Sequence, residues 1–567
     1  MVMNTSELQL IIRKHALANA VKFNGKANPG AVISKIIAEM PECKSEMKIV
    51  GKEVNDVVKH INELSLDVQM QELQEQFPEM LEKKEREERN IFAFLNIKPG
   101  SRVKTGFPPG PEKYPHIGHA KAALVNYLLA KQYDGEFILR FEDTNPNLVK
   151  AEFYDIIIDN LSWLGIKWDE LQYASDFMEL FYEYAIKAIG EGKAYMCFCD
   201  EEAIKLSRSD GIACKCRSHN PEENLKYWNE FDTYEEGKAI LRLKIDLEHQ
   251  NTAMRDPTIF RIIDTPHARC GTKYRIWPNY DFQNSIMDGY FRLTNRIRGK
   301  EFEMRNELQR YIQEMLGLEI TNVYEFARFN MVGVESSGRK IRELVNSGEY
   351  IGWDDPRLTT IVALRRRGFR PEAIKNFVLS SGMNKSESTV TWDDLIIQNK
   401  RIVDKTAKRF FMMHDYEKIT IEGAPHQNVK LKYHPDIDDM GHREIETEKE
   451  FLVLKSDLKD FKNGELYRFM DCLNFRKDDS IYNFDSVEYE NFRGNGKRII
   501  HWLPAYGNVD IKILMDDATT ITGVAEHNIK HLKVGEIIQF ERFGFCRLDE
   551  IEKQHGKEVY KFWFTHK

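Results

Sequence analysis

Several side chains in this sequence stand at spacings that suit chemistry. His116 and His119 lie three residues apart in Pro115-His116-Ile117-Gly118-His119, directly after the proline-rich run Phe107-Pro108-Pro109-Gly110-Pro111. Pro115 suits a first helical turn, where its missing N–H leaves nothing unpaired. Ile117, Ala120, Leu124 and Leu128 then recur at helical spacing. The spacing predicts a helix whose first turn carries both imidazoles on one face. A helix N-terminus has free N–H groups and a positive dipole end, which suits a phosphate. Gly118, without a side chain, lets a flat ligand approach the backbone. Two histidines on a helix are, by themselves, equally compatible with a surface pair or a satisfied core pair.

Four cysteines form two close pairs, Cys197-Phe198-Cys199 and Cys214-Lys215-Cys216, with a spacer of fourteen residues. Four thiolates around one tetrahedral ion make a structural zinc site, although each pair is tighter than the commonest spacing. Four reduced thiols in a small knot, with His219 as a competing ligand, fit the spacing as well. Glu142 ends the apolar run Glu136-Phe137-Ile138-Leu139-Arg140-Phe141 and precedes a turn at Asp143-Thr144-Asn145-Pro146. It is placed to meet an ammonium or to cap that turn. Tyr280 and Asn284 stand four apart after Pro278, on one face of an expected helix. Arg298 carries a guanidinium, which binds a carboxylate in a bidentate pair and would waste a desolvated charge on an amide.

These residues sit in longer strings. Phe107-Pro108-Pro109, Tyr114, His116-Ile117-Gly118-His119-Ala120-Lys121 and Arg140-Phe141-Glu142-Asp143-Thr144-Asn145-Pro146 resemble the class I aminoacyl-tRNA synthetases that carry the HIGH signature. Within that class they are similar to the glutamyl/glutaminyl subgroup, and most of all to archaeal-type glutamyl-tRNA synthetases, over roughly residues 100–567. The resemblance implies a glutamate–tRNA ligase that forms glutamyl-adenylate from ATP and passes it to the 3′ end of tRNA(Glu), with tRNA(Gln) left open. It implies His116 and His119 as catalytic contacts to ATP, beside Pro108 and Gly118. It implies Glu142, Tyr280, Asn284 and Arg298 as amino-acid ligands, Mg²⁺ with the ATP, Zn²⁺ on Cys197, Cys199, Cys214 and Cys216, and tRNA needed even for the first step. Two positions depart from the family. Its second carboxylate-binding arginine falls on Gly106, so that Lys104 is a candidate second cation. Its second loop lysine falls on Gly338 in Val334-Glu335-Ser336-Ser337-Gly338-Arg339-Lys340, so that Arg339 or Lys340 is expected to take over the ATP phosphates. The rival readings are a glutaminyl-tRNA synthetase, which Arg298 and Asn284 oppose, and a tRNA-binding protein without catalysis, which the intact HIGH and Arg-Phe-Glu-Asp strings oppose.

The elements that must position these residues follow from the pattern. Strands alternating with helices from 99 to 194 predict a Rossmann-like parallel sheet, with ligands beyond its carboxyl ends. Residues 195–275 are expected to form an inserted acceptor-stem-binding domain with the zinc knot. The sheet is expected to resume near Asp256–Ile262, and the second catalytic half to span 276–345. A helical linker should follow at 346–410, where Arg365-Arg366-Arg367 suits either phosphates or a solvated helix end. Short alternating runs from 411 to 567 predict antiparallel β-barrels, which the resemblance makes anticodon-binding. Residues 1–98 read as a helical extension, its Lys83–Arg89 run a solvated face. At 567 residues the chain needs several cores. A net charge of −8 leaves a nucleic-acid partner open, because a local basic face is enough. The first residues lack the form of a signal peptide, no run suits a membrane span, and eight cysteines are too few for a disulfide framework. A cytoplasmic protein with no membrane partner is expected.

Overall fold

The buried run Phe137–Phe141 is the second strand of a parallel sheet. The structure, a computed structural model, describes residues 5–23, 25–40, 43, 46–80, 90–335, 337–383, 385–386, 388–554 and 556–567. The Lys83–Arg89 run lies outside them. Strand β1 (Lys104–Phe107) pairs in parallel with β2 (Glu136–Phe141), and β2 with β3 (Glu170–Tyr173). Helix α1 (Ile117–Gln132) makes the crossover from β1 to β2. A second parallel pair, β4 (Asn295–Gly299) and β5 (Asn322–Phe326), stands beside β1. The backbone N–H of Thr294 donates to the Lys104 carbonyl at 2.9 Å, and the side chain of Asn126 on α1 donates to the carbonyl of Ile297. Phe137, Leu139 and Phe141 pack on Leu124, Val125 and Leu129 of α1 and on Phe153 and Leu161. Both faces are covered, so the strand reads as a continuous apolar run rather than an alternation.

Helices α2 (Tyr280–Tyr290), α3 (Glu303–Leu316) and α4 (Gly338–Asn346) complete the frame. The expectation that the parallel sheet resumes at 256–262 is corrected. Thr258–Ile262 joins Ala194–Cys197, Ile240–Leu243 and Ile276–Pro278 in a separate antiparallel sheet of four strands. The apolar run Ile259-Phe260 is buried there, in a second core with Trp277 and Phe282. A short apolar run does not say which of two sheets it enters. Asp256, which has a positive φ of 38°, ties this region together: it accepts from Tyr195, Arg217 and the backbone N–H of Ile245.

From residue 409 onward two seven-stranded sheets follow. They are mainly antiparallel, but four pairs are parallel: Arg409–Phe410 with Ile537–Phe540, Tyr416–Glu422 with Ile481–Ser486, Leu466–Phe469 with Arg498–Ile500, and Val509–Leu514 with Lys557–His566. The triple arginine joins these sheets to the parallel-sheet region. Arg366 makes a bidentate contact with Asp549, and its Nη1 pairs with Asp354. Arg367 is 2% exposed and donates to the carbonyls of Pro356 and Thr565 at 2.8 and 2.9 Å. Neither side chain is left for phosphate. Residues 1–90 form a unit of their own. Its helices Thr5–Lys22, Pro29–Glu39, Met47–Glu63 and Leu66–Gln76 bury Leu8, Ile12, Val32, Ile36, Val54, Ile61 and Leu73.

Removing Arg367 strands two buried carbonyls and leaves a void against Trp392. R367A is expected to cost about 3 kcal/mol or more of unfolding free energy, read from urea midpoints of the full chain. An unchanged midpoint would show that Arg367 is no strut.

Candidate functional site

A cleft of about 1080 Å³ opens at the carboxyl ends of the parallel strands. It is lined by Phe107–Lys113 after β1, by the first turn of α1, by Glu142 after β2 and by Arg296–Gly299 of β4. Tyr280 of α2 and Arg328, Ser337 and Gly338 border it as well.

His116 is the N-cap of α1 and His119 its third residue. The Gly118 N–H donates to His116 Nδ1 at 3.0 Å, and the His116 N–H donates to His119 Nδ1 at 3.2 Å. Both Nδ1 atoms accept, so in the neutral rings the proton sits on Nε2. The rings lie 4.0 Å apart between centroids and line the cleft. Burial, with Lys113 nearby, pushes His116 down to about 4 and His119 well below its usual value. The pair therefore offers two neutral N–H donors beside a helix N-terminus, an arrangement suited to phosphate oxygens. Gly118 has a local reason beyond ligand access. A Cβ there would lie 2.8 Å from His116 Cε1, so any side chain would evict the imidazole. Backbone bonds from Ile117 to the Thr359 carbonyl and from Ile361 to the Pro115 carbonyl hold this loop against residues 359–361.

The amino-acid end is built on a buried polar network. Strand alternation puts Arg140 and Glu142 on one side of β2, and Arg296 and Arg298 on one side of β4. Arg140 donates to Glu142 Oε1, Asp288 Oδ1 and Asn284 Oδ1 at 2.8, 2.8 and 2.9 Å. Arg296 bonds the same Asp288 and Asn284 oxygens. Glu142 Oε2 is buried without a partner, and burial raises this carboxyl's pKa. Arg298 is 6% exposed and packs by Phe302. Its Nη2 meets Asn306 and Gln309, while Nε and Nη1 have no partner. Among the described residues Arg298 pairs with no carboxylate. The network thus leaves one acceptor for a cationic group and two donors for an anionic one.

Other expected residues fall differently. Tyr280 reaches the cleft, but Asn284 stands one layer behind: Arg140 and Arg296 use its oxygen, and its amide donates to Gln309. Lys104 is not the second cation. It begins β1, at the amino edge of the sheet, and pairs with Glu136 at 3.2 Å. Lys340 pairs with Glu335, before the helix, at 2.8 Å, and Arg339 with Glu343 at 3.1 Å on an exposed part of the helix. Neither lines the cleft, whereas Ser337 and Gly338 do. Ser336 lies outside the described residues. The roles of Arg140, Arg296, Asp288 and Gln309 were missed. The i, i+2 pairs Arg140/Glu142 and Arg296/Arg298 were the available signal.

At the other site, the sulfurs of Cys197, Cys199, Cys214 and Cys216 all lie within 4.8 Å of one another. A tetrahedral Zn–S shell puts its sulfurs about 3.8 Å apart, and Cys197 and Cys214 stand 4.0 Å apart. The four thiols fit a metal ion. His219 is outside this cluster, with its ring against Tyr227.

Because His116 is held neutral, the pH dependence of stability has a definite sign. Between pH 6.5 and 4 the unfolded imidazole binds a proton that the folded one refuses, so stability falls with pH in that window, by about 3 kcal/mol in all. H116N keeps an acceptor for the Gly118 N–H. The loss it shows between pH 6.5 and 4, read from urea midpoints, should be smaller by a comparable amount; an equal loss would mean the ring is not buried neutral.

The catalytic-domain profile of tRNA synthetases class I (E and Q) matches residues 102–405, and the two anticodon-binding-domain profiles of that family match 407–493 and 499–549. A glutamate–tRNA ligase of Pyrococcus furiosus is 42% identical over 98% of this chain and 99% of its own length. Those of Pyrococcus abyssi and Methanobrevibacter smithii are 41% and 37% identical, with 98% and 99% of this chain covered and 99% and 100% of theirs. The chain belongs to the glutamyl/glutaminyl family of class I tRNA synthetases, among the glutamate–tRNA ligases of archaeal type.

Proposed function

We propose that this cleft activates glutamate with ATP and Mg²⁺ and transfers the glutamyl group to the 3′ end of tRNA(Glu). The observation that carries the choice of glutamate is Arg298: a buried guanidinium with no carboxylate partner among the described residues and two unpartnered nitrogens. A γ-carboxylate accepts from one of these unpartnered nitrogens and balances the charge, whereas an amide leaves the charge unbalanced. Glu142 Oε2 receives the α-ammonium, and Tyr280 closes the pocket beside it. The α-carboxylate oxygen attacks the α-phosphorus of ATP, the bond from that phosphorus to the bridging oxygen breaks, and pyrophosphate leaves with the electron pair. His116 and His119 donate from Nε2 to phosphate oxygens, and Pro108 and Gly118 shape the nucleotide face. A hydroxyl of the terminal ribose then attacks the carbonyl carbon, and AMP leaves. Positioning and charge stabilisation supply most of the rate. Residues 409–567 hold the anticodon loop, and the segment around Cys197–Cys216 the acceptor end.

Cys197, Cys199, Cys214 and Cys216 would hold zinc, which supplies a cross-link to a segment with little core of its own. A cytoplasmic enzyme follows from the proposed role in charging tRNA; among the described residues no helix is long and apolar enough to cross a membrane.

ATP–pyrophosphate exchange tests the reading. Exchange should require glutamate and tRNA, and glutamine should not replace glutamate. R298Q should lose about 100-fold in kcat/KM for glutamate, the cost of a charge-assisted pair. Exchange driven by glutamine instead would overturn the substrate. For the cysteine cluster, C214S is expected to lower bound zinc by elemental analysis and to speed proteolysis between residues 195 and 275. An unmodified zinc content would remove Cys214 from the ligand set.

A further inference from the structure

The cleft brings together two helix N-termini, the first turn of α1 and that of α4, yet neither cation expected to serve α4 reaches it. Lys340 is paired with Glu335, just before α4, and Arg339 with Glu343 on α4 itself. One ammonium does stand at the junction. Lys113, in the loop between β1 and α1, lines the cleft together with His116, Gly118, His119, Ser337 and Gly338. A Cβ built on Gly338 would lie 3.4 Å from Lys113 Cδ, the one atom of the described residues beyond its own chain neighbours and helix backbone that comes within 4 Å. A side chain at 338 and the side chain of Lys113 therefore extend into the same space from opposite walls. Among the described residues the Lys113 ammonium has no hydrogen-bond or ion-pair partner. Its field also helps to depress both histidines, which places the charge close to the two rings.

We propose that Lys113 is the catalytic cation for the β- and γ-phosphates, and that Gly338 is a glycine because Lys113 fills the space a side chain there would use. The inference rests on the adenylate-forming reading above. In that step, charge builds on the oxygen bridging the α- and β-phosphates as pyrophosphate departs. The Lys113 ammonium, the Nε2–H donors of the histidines and the N–H groups at the start of α4 together receive that charge. The ammonium is a mobile point charge on a loop, so it follows the phosphates as they separate.

The test relocates the charge. K113A should lower kcat for glutamate-dependent pyrophosphate exchange by about 100-fold, with the KM for glutamate within threefold of wild type and the thermal midpoint unchanged. K113R should stay within tenfold of wild type. K113A/G338K, which returns an ammonium from the opposite wall, should recover at least tenfold over K113A. K340A and R339A should remain within threefold of wild type. K113A within threefold of wild type, or no recovery in K113A/G338K, would overturn the proposal. Wild-type protein inert with glutamate would sink the reading of the reaction instead. Calorimetry with Mg·ATP alone then decides Lys113: a tenfold weaker affinity in K113A supports it, and an equal affinity overturns it.

Discussion

Asp288 is shared by two buried guanidinium groups, and the active cleft depends on that sharing. Arg140 comes from β2, Arg296 from β4 and Asp288 from α2. None of the three could be buried alone, because an unpaired charge in the interior costs several kcal/mol. Their pairing therefore fixes two strands and a helix relative to one another at the carboxyl edge of the sheet. Asn284 extends the network by giving its oxygen to both arginines and its amide to Gln309, which in turn receives Arg298. Arg298 is the outermost member, and the one left without a counter-ion. A buried cation in that state is costly to the empty protein and favourable to an anionic ligand. The selectivity proposed for a side-chain carboxylate thus rests on the whole network rather than on one residue.

The end of the cleft proposed to take phosphate works by different physics. Its two histidines carry no charge at neutral pH; they are dipoles locked by backbone N–H groups. Preorganised neutral donors of this kind need no reorganisation as charge moves along the triphosphate. Net positive charge is left to the helix termini and to flexible side chains, which can move with the leaving group.

Gly106 and Gly338 break the family pattern for different structural reasons. At Gly106 a Cβ would meet the Ile138 carbonyl at 3.0 Å and Leu293 at 3.4 Å, so β1 and β2 are packed closely around a position without a side chain. At Gly338 a Cβ would meet the side chain of Lys113 at 3.4 Å. The first is a packing matter of the sheet, the second a matter of which residue reaches the cleft.

Residue types and short-range spacing determined much of this protein by themselves. The helix that starts at Ile117, the buried strand Phe137–Phe141, the position of Glu142 at its end and the paired cysteines all follow from local pattern and lie within one or two elements. That Arg298 suits a carboxylate is also a matter of its own chemistry. Tertiary structure decided what depends on distant segments. It sent Thr258–Ile262 to a separate sheet, placed Asn284 behind the cleft, turned Arg366 and Arg367 into struts, and paired Lys340 with Glu335. Each of these outcomes is a competition between partners far apart in the chain. A charged or apolar side chain takes whichever partner the packed fold brings nearest, and the local sequence does not encode that distance.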